Sequence, residues 1–350
     1  MDSTITTVIP TYRRPQLLRR AILSVLGQTY PHVRVCVYDN NSGDDTKSVV
    51  EEIMRRDPRV RYHCHAENIG SFHNFNYGIR QVDTPYFSVL SDDDVLLPDF
   101  YATSMAELER YPDAIFCATQ TLVVKGGQVI GVSYADYEPG LYSPPAGLLK
   151  AADGGTNTYT GTLYRSRVMP AVMLDESLSE GPAEQDFLFR VTARSPYVVS
   201  KAPGAIFVAH PNAMSSLRRE ANVVSDYARM LDKVSANEKI PPDVRVAVRH
   251  KAEAILARSV WEGGWVDIKN RDFIQAQKTA QILRDNLGAV QRGRILSVVA
   301  RLCEMWPIYY IYLGLNAVRK ALNLSTWAQS ARLQATYGRY LQHLDMPPSA

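Results

Sequence analysis

Four consecutive residues, Ser91-Asp92-Asp93-Asp94, close the apolar run Tyr86-Phe87-Ser88-Val89-Leu90 and open onto Val95-Leu96-Leu97-Pro98. An apolar run of that length reads as a buried strand, and open α/β sheets hold their ligands at the carboxyl ends of strands. Three carboxylates there repel one another unless positive charge sits among them. Their hard oxygens suit Mg²⁺ or Mn²⁺, which dehydrate reluctantly and are commonly shared between one or two carboxylates and substrate phosphates. Taken alone, the same run also reads as a solvated acidic turn.

Other residues have chemical potential of their own. Glu184-Gln185-Asp186 precedes Phe187-Leu188-Phe189-Arg190, which predicts a helix over 183–194 with its acids near the positive amino end. Asp39 ends a strand-like segment, where it can cap a turn or accept a hydrogen bond from a ligand. Asn68-Ile69-Gly70 with Asn74 reads as a capped turn. His210 follows the apolar segment 205–209. His63 and His65 would share one face of a strand and Cys64 the other, with no second ligand pair near in sequence, which argues against zinc.

The elements that must position these residues alternate. Strand signals at 4–10, 33–38, 60–64 and 86–90 are separated by helical spacing that starts at Pro15, after the turn 40–45 and after Gly70. Such alternation predicts a mainly parallel sheet covered by helices. A helix then follows Pro98 to about residue 111, and 114–124 reads as a long strand. Residues 126–160, rich in Gly, Pro, Tyr and Ser, read as loops with short strands, and 197–200 and 205–209 as two further strands. Beyond about residue 216 only helical stretches remain, interrupted at Pro241-Pro242, Gly263-Gly264 and Gly288. The expected organisation is a domain over 1–217, with halves of about 1–97 and 98–217, and a helical region over 218–350.

Composition sets the bounds. With 46% hydrophobic and 21% charged residues in a chain of 350, a sizeable core is available and general disorder is excluded. The net charge of +3 hides an asymmetry, since acids outnumber bases before residue 218 and bases outnumber acids after it. Cys36, Cys64, Cys117 and Cys303 have no CxxC spacing and read as reduced core cysteines. Met1 leads almost directly into the first strand, so no secretory signal is expected and the cytoplasm is the expected location. In the tail, Arg292, Arg294, Arg301, Arg319 and Lys320 flank Trp306-Pro307-Ile308-Tyr309-Tyr310-Ile311-Tyr312, a segment too short to span a bilayer. It is expected to contact the inner membrane surface or a second subunit, or to pack as core. Nothing points to nucleic-acid recognition.

Together, Val8-Ile9-Pro10-Thr11-Tyr12, Asp39-Asn40-Asn41-Ser42-Gly43-Asp44, Asn68-Ile69-Gly70 with Asn74 and Asn76-Tyr77-Gly78, Ser91-Asp92-Asp93-Asp94 and Glu184-Gln185-Asp186 resemble the family 2 glycosyltransferases. The resemblance covers about the first 215 residues and implies the GT-A fold and metal-dependent, inverting transfer from a nucleoside-diphosphate sugar. UDP is the leading nucleotide and dTDP the next. The resemblance gives Asp39, Pro10, Thr11 and Tyr12 to the base, and places Asn68, Gly70, Asn74, Asp92 and Asp93 along the donor. It gives Asp94, with Asp92 and His210, to Mn²⁺ or Mg²⁺, and Asp186, or else Glu184, to deprotonation of an acceptor hydroxyl. The family's usual Asp-x-Asp-Asp begins here with Ser91, so the division of labour among the three acids stays open. The implied acceptor is a growing cell-surface polysaccharide or a lipid-linked glycan. Two alternatives are a haloacid-dehalogenase-like phosphatase with Asp92 as nucleophile and a non-catalytic sugar-nucleotide binder.

Overall fold

The computed structural model describes residues 3–169, 173–209, 221–305, 308–313 and 324–344. Its first half is four parallel strands, β1 (Ile5–Thr11), β2 (Val33–Asp39), β3 (Val60–Cys64) and β4 (Tyr86–Val89), in the spatial order β3-β2-β1-β4. Strand alternation splits their side chains between two cores. Ile5, Ile9, Val35 and Val37 meet α1 (Pro15–Leu26) and α2 (Thr46–Arg56), whereas Val8, Cys36 and Tyr38 face α3 (Ser71–Arg80). Gly78 allows that second contact, because a Cβ there would lie 2.6 Å from Val8 and 2.8 Å from Tyr38.

Beyond the Asp run the chain crosses the sheet. β5 (Val95–Leu96) pairs antiparallel with β10 (Tyr197–Val208), which runs parallel to β6 (Phe116–Lys125). The halves are joined by β9 (Thr162–Arg165), antiparallel to both β4 and β6. β7 (Gln128–Val132) extends β6, and β8 (Gly140–Tyr142) pairs with β10. The architecture is the expected α/β sheet flanked by helices, followed by a helical region. Sequence reading predicted two strands where β10 is continuous. Its register shifts around Pro203, and Gly204 fits because a Cβ there would fall 2.0 Å from Thr119 Oγ1, so the irregularity bends the strand without ending it.

α4 (Phe100–Arg110), α5 (Ala146–Ala151) and α6 (Glu180–Thr192) complete this part. Of the helices that follow, α7 (Ala221–Ala236) and the start of α8 (Pro242–Lys269) share a core with α5 and α6, through Met230, Leu231, Val244 and Val248. The rest of α8 packs with α9 (Phe273–Asp285) and α10 (Val290–Glu304). The expected break at Gly263-Gly264 does not occur: both glycines lie within α8, and a Cβ on Gly264 would meet Leu296 of α10 at 2.2 Å. α11 (Leu324–Tyr337) and the turns after it cover β5, β6, β7 and β10, placing Leu333, Tyr337 and Leu341 over Leu122, Val129 and Ile206. Cys36, Cys117 and Cys303 are buried as expected, but Cys64 is exposed because β3 is the outer strand. No described helix is long and apolar enough to cross a membrane.

Candidate active site

The Asp run sits where β1, β4 and β10 end together. Asp92 is buried and accepts from Thr11 Oγ1 at 2.7 Å and from Arg14 Nη1 at 3.2 Å. The same Arg14 nitrogen donates to Asp93 Oδ2 at 2.8 Å, and Arg20 Nη2 donates to the Asp93 carbonyl at 2.6 Å. Asp94 has no exposed surface; its Oδ2 accepts from Thr160 Oγ1 at 2.5 Å and its Oδ1 from the Val208 amide at 3.0 Å. The isolated reading of a solvated turn therefore does not hold. Burial raises Asp92 to about 6 against the opposing pull of Thr11 and Arg14. Burial, then the Asp93 charge, raises Asp94 to about 8 despite the Thr160 and Val208 hydrogen bonds.

Carboxylates so poorly compensated in a buried turn are hard oxygen donors suited to a divalent cation. Each Asp94 oxygen accepts one of these hydrogen bonds and so keeps a lone pair. Among the described residues no three His, Cys, Asp or Glu side chains converge as a complete ligand cage. Carboxylate oxygens of this kind are donors that Mg²⁺ commonly shares with substrate oxygens. His210 lies outside the described residues. Arg14, Arg20 and Thr160 were not singled out from sequence. Arg14 carried a signal, since it stands between a strand and the helix-opening Pro15, but Thr160 had none.

The ends of β1, β2 and α3 form a second hydrogen-bonded group. Asp39 Oδ1 accepts from the amide and hydroxyl of Ser42, at 2.9 and 2.6 Å, and its Oδ2 accepts from Tyr62 Oη at 2.6 Å. The Asx turn is thus present, while Oδ2 keeps one lone pair for a ligand N–H. Asn40 joins the turns: its amide donates to Thr11 O at 3.0 Å, its Nδ2 to Asn68 Oδ1 at 2.9 Å, and its Oδ1 accepts from the Ile69 amide at 2.8 Å. Asn68 Oδ1 also accepts from the Gly70 amide, and Gly70 has φ +87, a value that favours glycine. Asn74 is buried, donating to Tyr38 O at 2.9 Å and bonding His65 Nε2 at 3.0 Å. Pro10 and Thr11 end β1, and Tyr12 is exposed beneath the Arg13 guanidinium, 5.0 Å from the ring centre.

The start of the helix that carries Asp186 requires a correction. α6 begins at Glu180, so Asp186 stands well inside the helix and its amino-terminal dipole does not account for it. The carboxylate is buried and accepts from Arg190 Nε at 2.7 Å, one turn on, while Arg190 Nη2 donates to Met173 O at 2.7 Å. Glu184 is partly buried, and its charge helps to raise the Tyr164 phenol, after burial and Tyr134. The turn before β9 links this helix to the Asp run. Thr160 bonds Asp94, and the neighbouring Tyr159 ring stacks on Phe187 with centroids 5.7 Å apart and touches Phe75 of α3.

Residues 6–170 match the family model described as Glycosyl transferase family 2. Over 102 residues the chain is 35% identical to a GalNAc(5)-diNAcBac-PP-undecaprenol beta-1,3-glucosyltransferase of Campylobacter jejuni, covering 29% of this chain and 33% of that protein. An uncharacterized glycosyltransferase of Haemophilus influenzae is 26% identical over 132 residues, 37% of this chain and 41% of its own length. These matches span less than half of either relative. Among solved structures, S. aureus TarS 1–349 in complex with UDP-GlcNAc has a TM-score of 0.61 at 13% identity, covering 85% of this chain and 89% of that one. The mannosyltransferase PcManGT of Pyrobaculum calidifontis, in complex with GDP-Man and Mn²⁺, has a TM-score of 0.52 at 16% identity, with 89% and 84% covered. At those identities the likeness is one of fold.

Proposed function

We propose that this protein, whose residues 6–170 match the glycosyl transferase family 2 model, transfers a sugar, with inversion, from a nucleoside diphosphate to a hydroxyl of a lipid-linked or polysaccharide glycan. The observation that carries this reading is the buried Asp run at the joined ends of β1, β4 and β10, where burial raises the Asp92 and Asp94 carboxyls. Such a site has use for the cation that a donor diphosphate brings. Asp94 and Asp92 would hold Mn²⁺ or Mg²⁺, which supplies Lewis-acid neutralisation of the departing diphosphate. The free lone pair of Asp39 Oδ2 suits the ring N–H of uracil, and Asn40 and Asn68 hold the adjoining turn in place. Thymine presents the same ring N–H, so UDP is the proposed nucleotide with dTDP next. The lipid-linked acceptor is supported by the Campylobacter jejuni relative's name. The family match favours transfer over the phosphatase alternative with Asp92 as nucleophile.

In the proposed step the acceptor oxygen attacks the anomeric carbon as the bond from that carbon to the diphosphate breaks, and the hydroxyl proton passes to the Asp186 carboxylate. Arg190 holds that carboxylate from one side, leaving Oδ1 to receive the proton. A positioned base contributes about 10²–10⁴-fold. Asp186→Asn should therefore bind UDP-sugar normally and lose kcat by about that factor, measured as UDP release in the presence of acceptor. If Asp186→Asn keeps its kcat while Glu184→Gln loses it, Glu184 is the base.

A further inference from the structure

α10 has two apolar faces. Gly293, Leu296, Ala300 and Cys303 are buried in the bundle with α8 and α9. Ile295, Val298, Leu302 and the following Met305 stand at i, i+3, i+7 and i+10, a single stripe at 3.6 residues per turn on the side away from that core. They are 43–55% exposed. After α10, Tyr310 and Ile311 are exposed too, at 54 and 61%, whereas Tyr309 turns inward and donates to Lys269 O at 2.9 Å. A contiguous apolar stripe of this kind marks a surface that meets something.

The charges around the stripe indicate what it meets. Helical spacing sets Arg294 and Arg301 along one edge and Arg292 along the other; all three are exposed, and α10 carries Glu304 as its one acid. A second copy would meet this surface badly. An antiparallel twofold pairing sets the Arg294 and Arg301 edge against itself, and a parallel one sets it against Arg292, so like charges face each other in both. An anionic bilayer satisfies both edges at once, with the apolar stripe at the acyl boundary and the guanidinium groups among phosphates.

We propose that the exposed face of α10 docks this protein on an anionic membrane surface. The docking does not depend on the sugar-transfer reading, and its test uses no donor. The full chain is sedimented with vesicles of phosphatidylglycerol and phosphatidylcholine, and with phosphatidylcholine alone. Binding should require phosphatidylglycerol and weaken with salt. Arg294→Gln with Arg301→Gln should lower the affinity about 30-fold, from about 1 kcal/mol per arginine. Val298→Ser with Leu302→Ser should remove binding while thermal stability holds, since both side chains are exposed. Equal binding to the two vesicle types, or vesicle binding unchanged in the serine variant, would overturn the proposal. So would a dimer, seen by light scattering without vesicle binding, that the serine changes disperse.

Discussion

Asp94 is held from two sides by groups that persist if its charge is removed. Thr160 donates from the turn before β9 and Val208 from the end of β10. Asp94→Ala would orphan the Val208 amide, whereas Asp94→Asn keeps an acceptor oxygen and removes the charge. Because burial raises the native Asp94 above an unfolded carboxyl, the native chain binds more protons than the unfolded one. Stability without metal should therefore fall as pH rises from about 4 through about 8, and Asp94→Asn should flatten that fall. Thermal unfolding across this range, in chelator, checks the sign. The chemistry of the Asp run was legible from residue type and from its place after a buried strand. Its partners were less so. Arg14 lies 78 residues from Asp92 and Thr160 lies 66 from Asp94, separations at which periodicity carries no information.

At the scale of elements, the four βα units were readable because each strand and helix announces itself within a few residues. Pro15 opens α1, and Gly70 with its positive φ precedes α3. β5 and β9 were not read, since two and four residues carry little pattern of their own and their pairing is long-range. Glycines were misread for a related reason. Gly263-Gly264 looks like a break in the sequence, yet Gly264 removes a side chain where α8 meets Leu296 of α10. Gly78, in a segment that carries the family resemblance, likewise serves the packing of α3 on β1 and β2. Its neighbours Val8 and Tyr38 are buried and stiff, so Gly78→Ala should cost about 1–3 kcal/mol through overpacking, read from denaturant unfolding.

Across the whole molecule, the last described helix is tied to the sheet. Tyr337 Oη donates to Gln120 Oε1 at 3.0 Å and the Val129 amide to Gln334 Oε1 at 3.1 Å, contacts that span more than 200 residues. α11 thereby covers Leu122, Val129 and Ile206 of β6, β7 and β10. A chain ending at residue 323 should expose Leu122, Val129 and Ile206, bind a hydrophobic dye and unfold at lower temperature. An unchanged melting temperature would show that the cover is dispensable. Tertiary packing of this kind is invisible to local patterning, which showed the tail as helical and basic without showing what it touches. The proposed role of the Asp run is to join donor and cation at the ends of β1, β4 and β10. Titrating UDP into wild type and Asp94→Asn, with and without Mn²⁺, tests it most directly. Mn²⁺ should tighten UDP binding in the wild type and leave the variant unaffected; equal enhancement in both proteins would contradict the assignment.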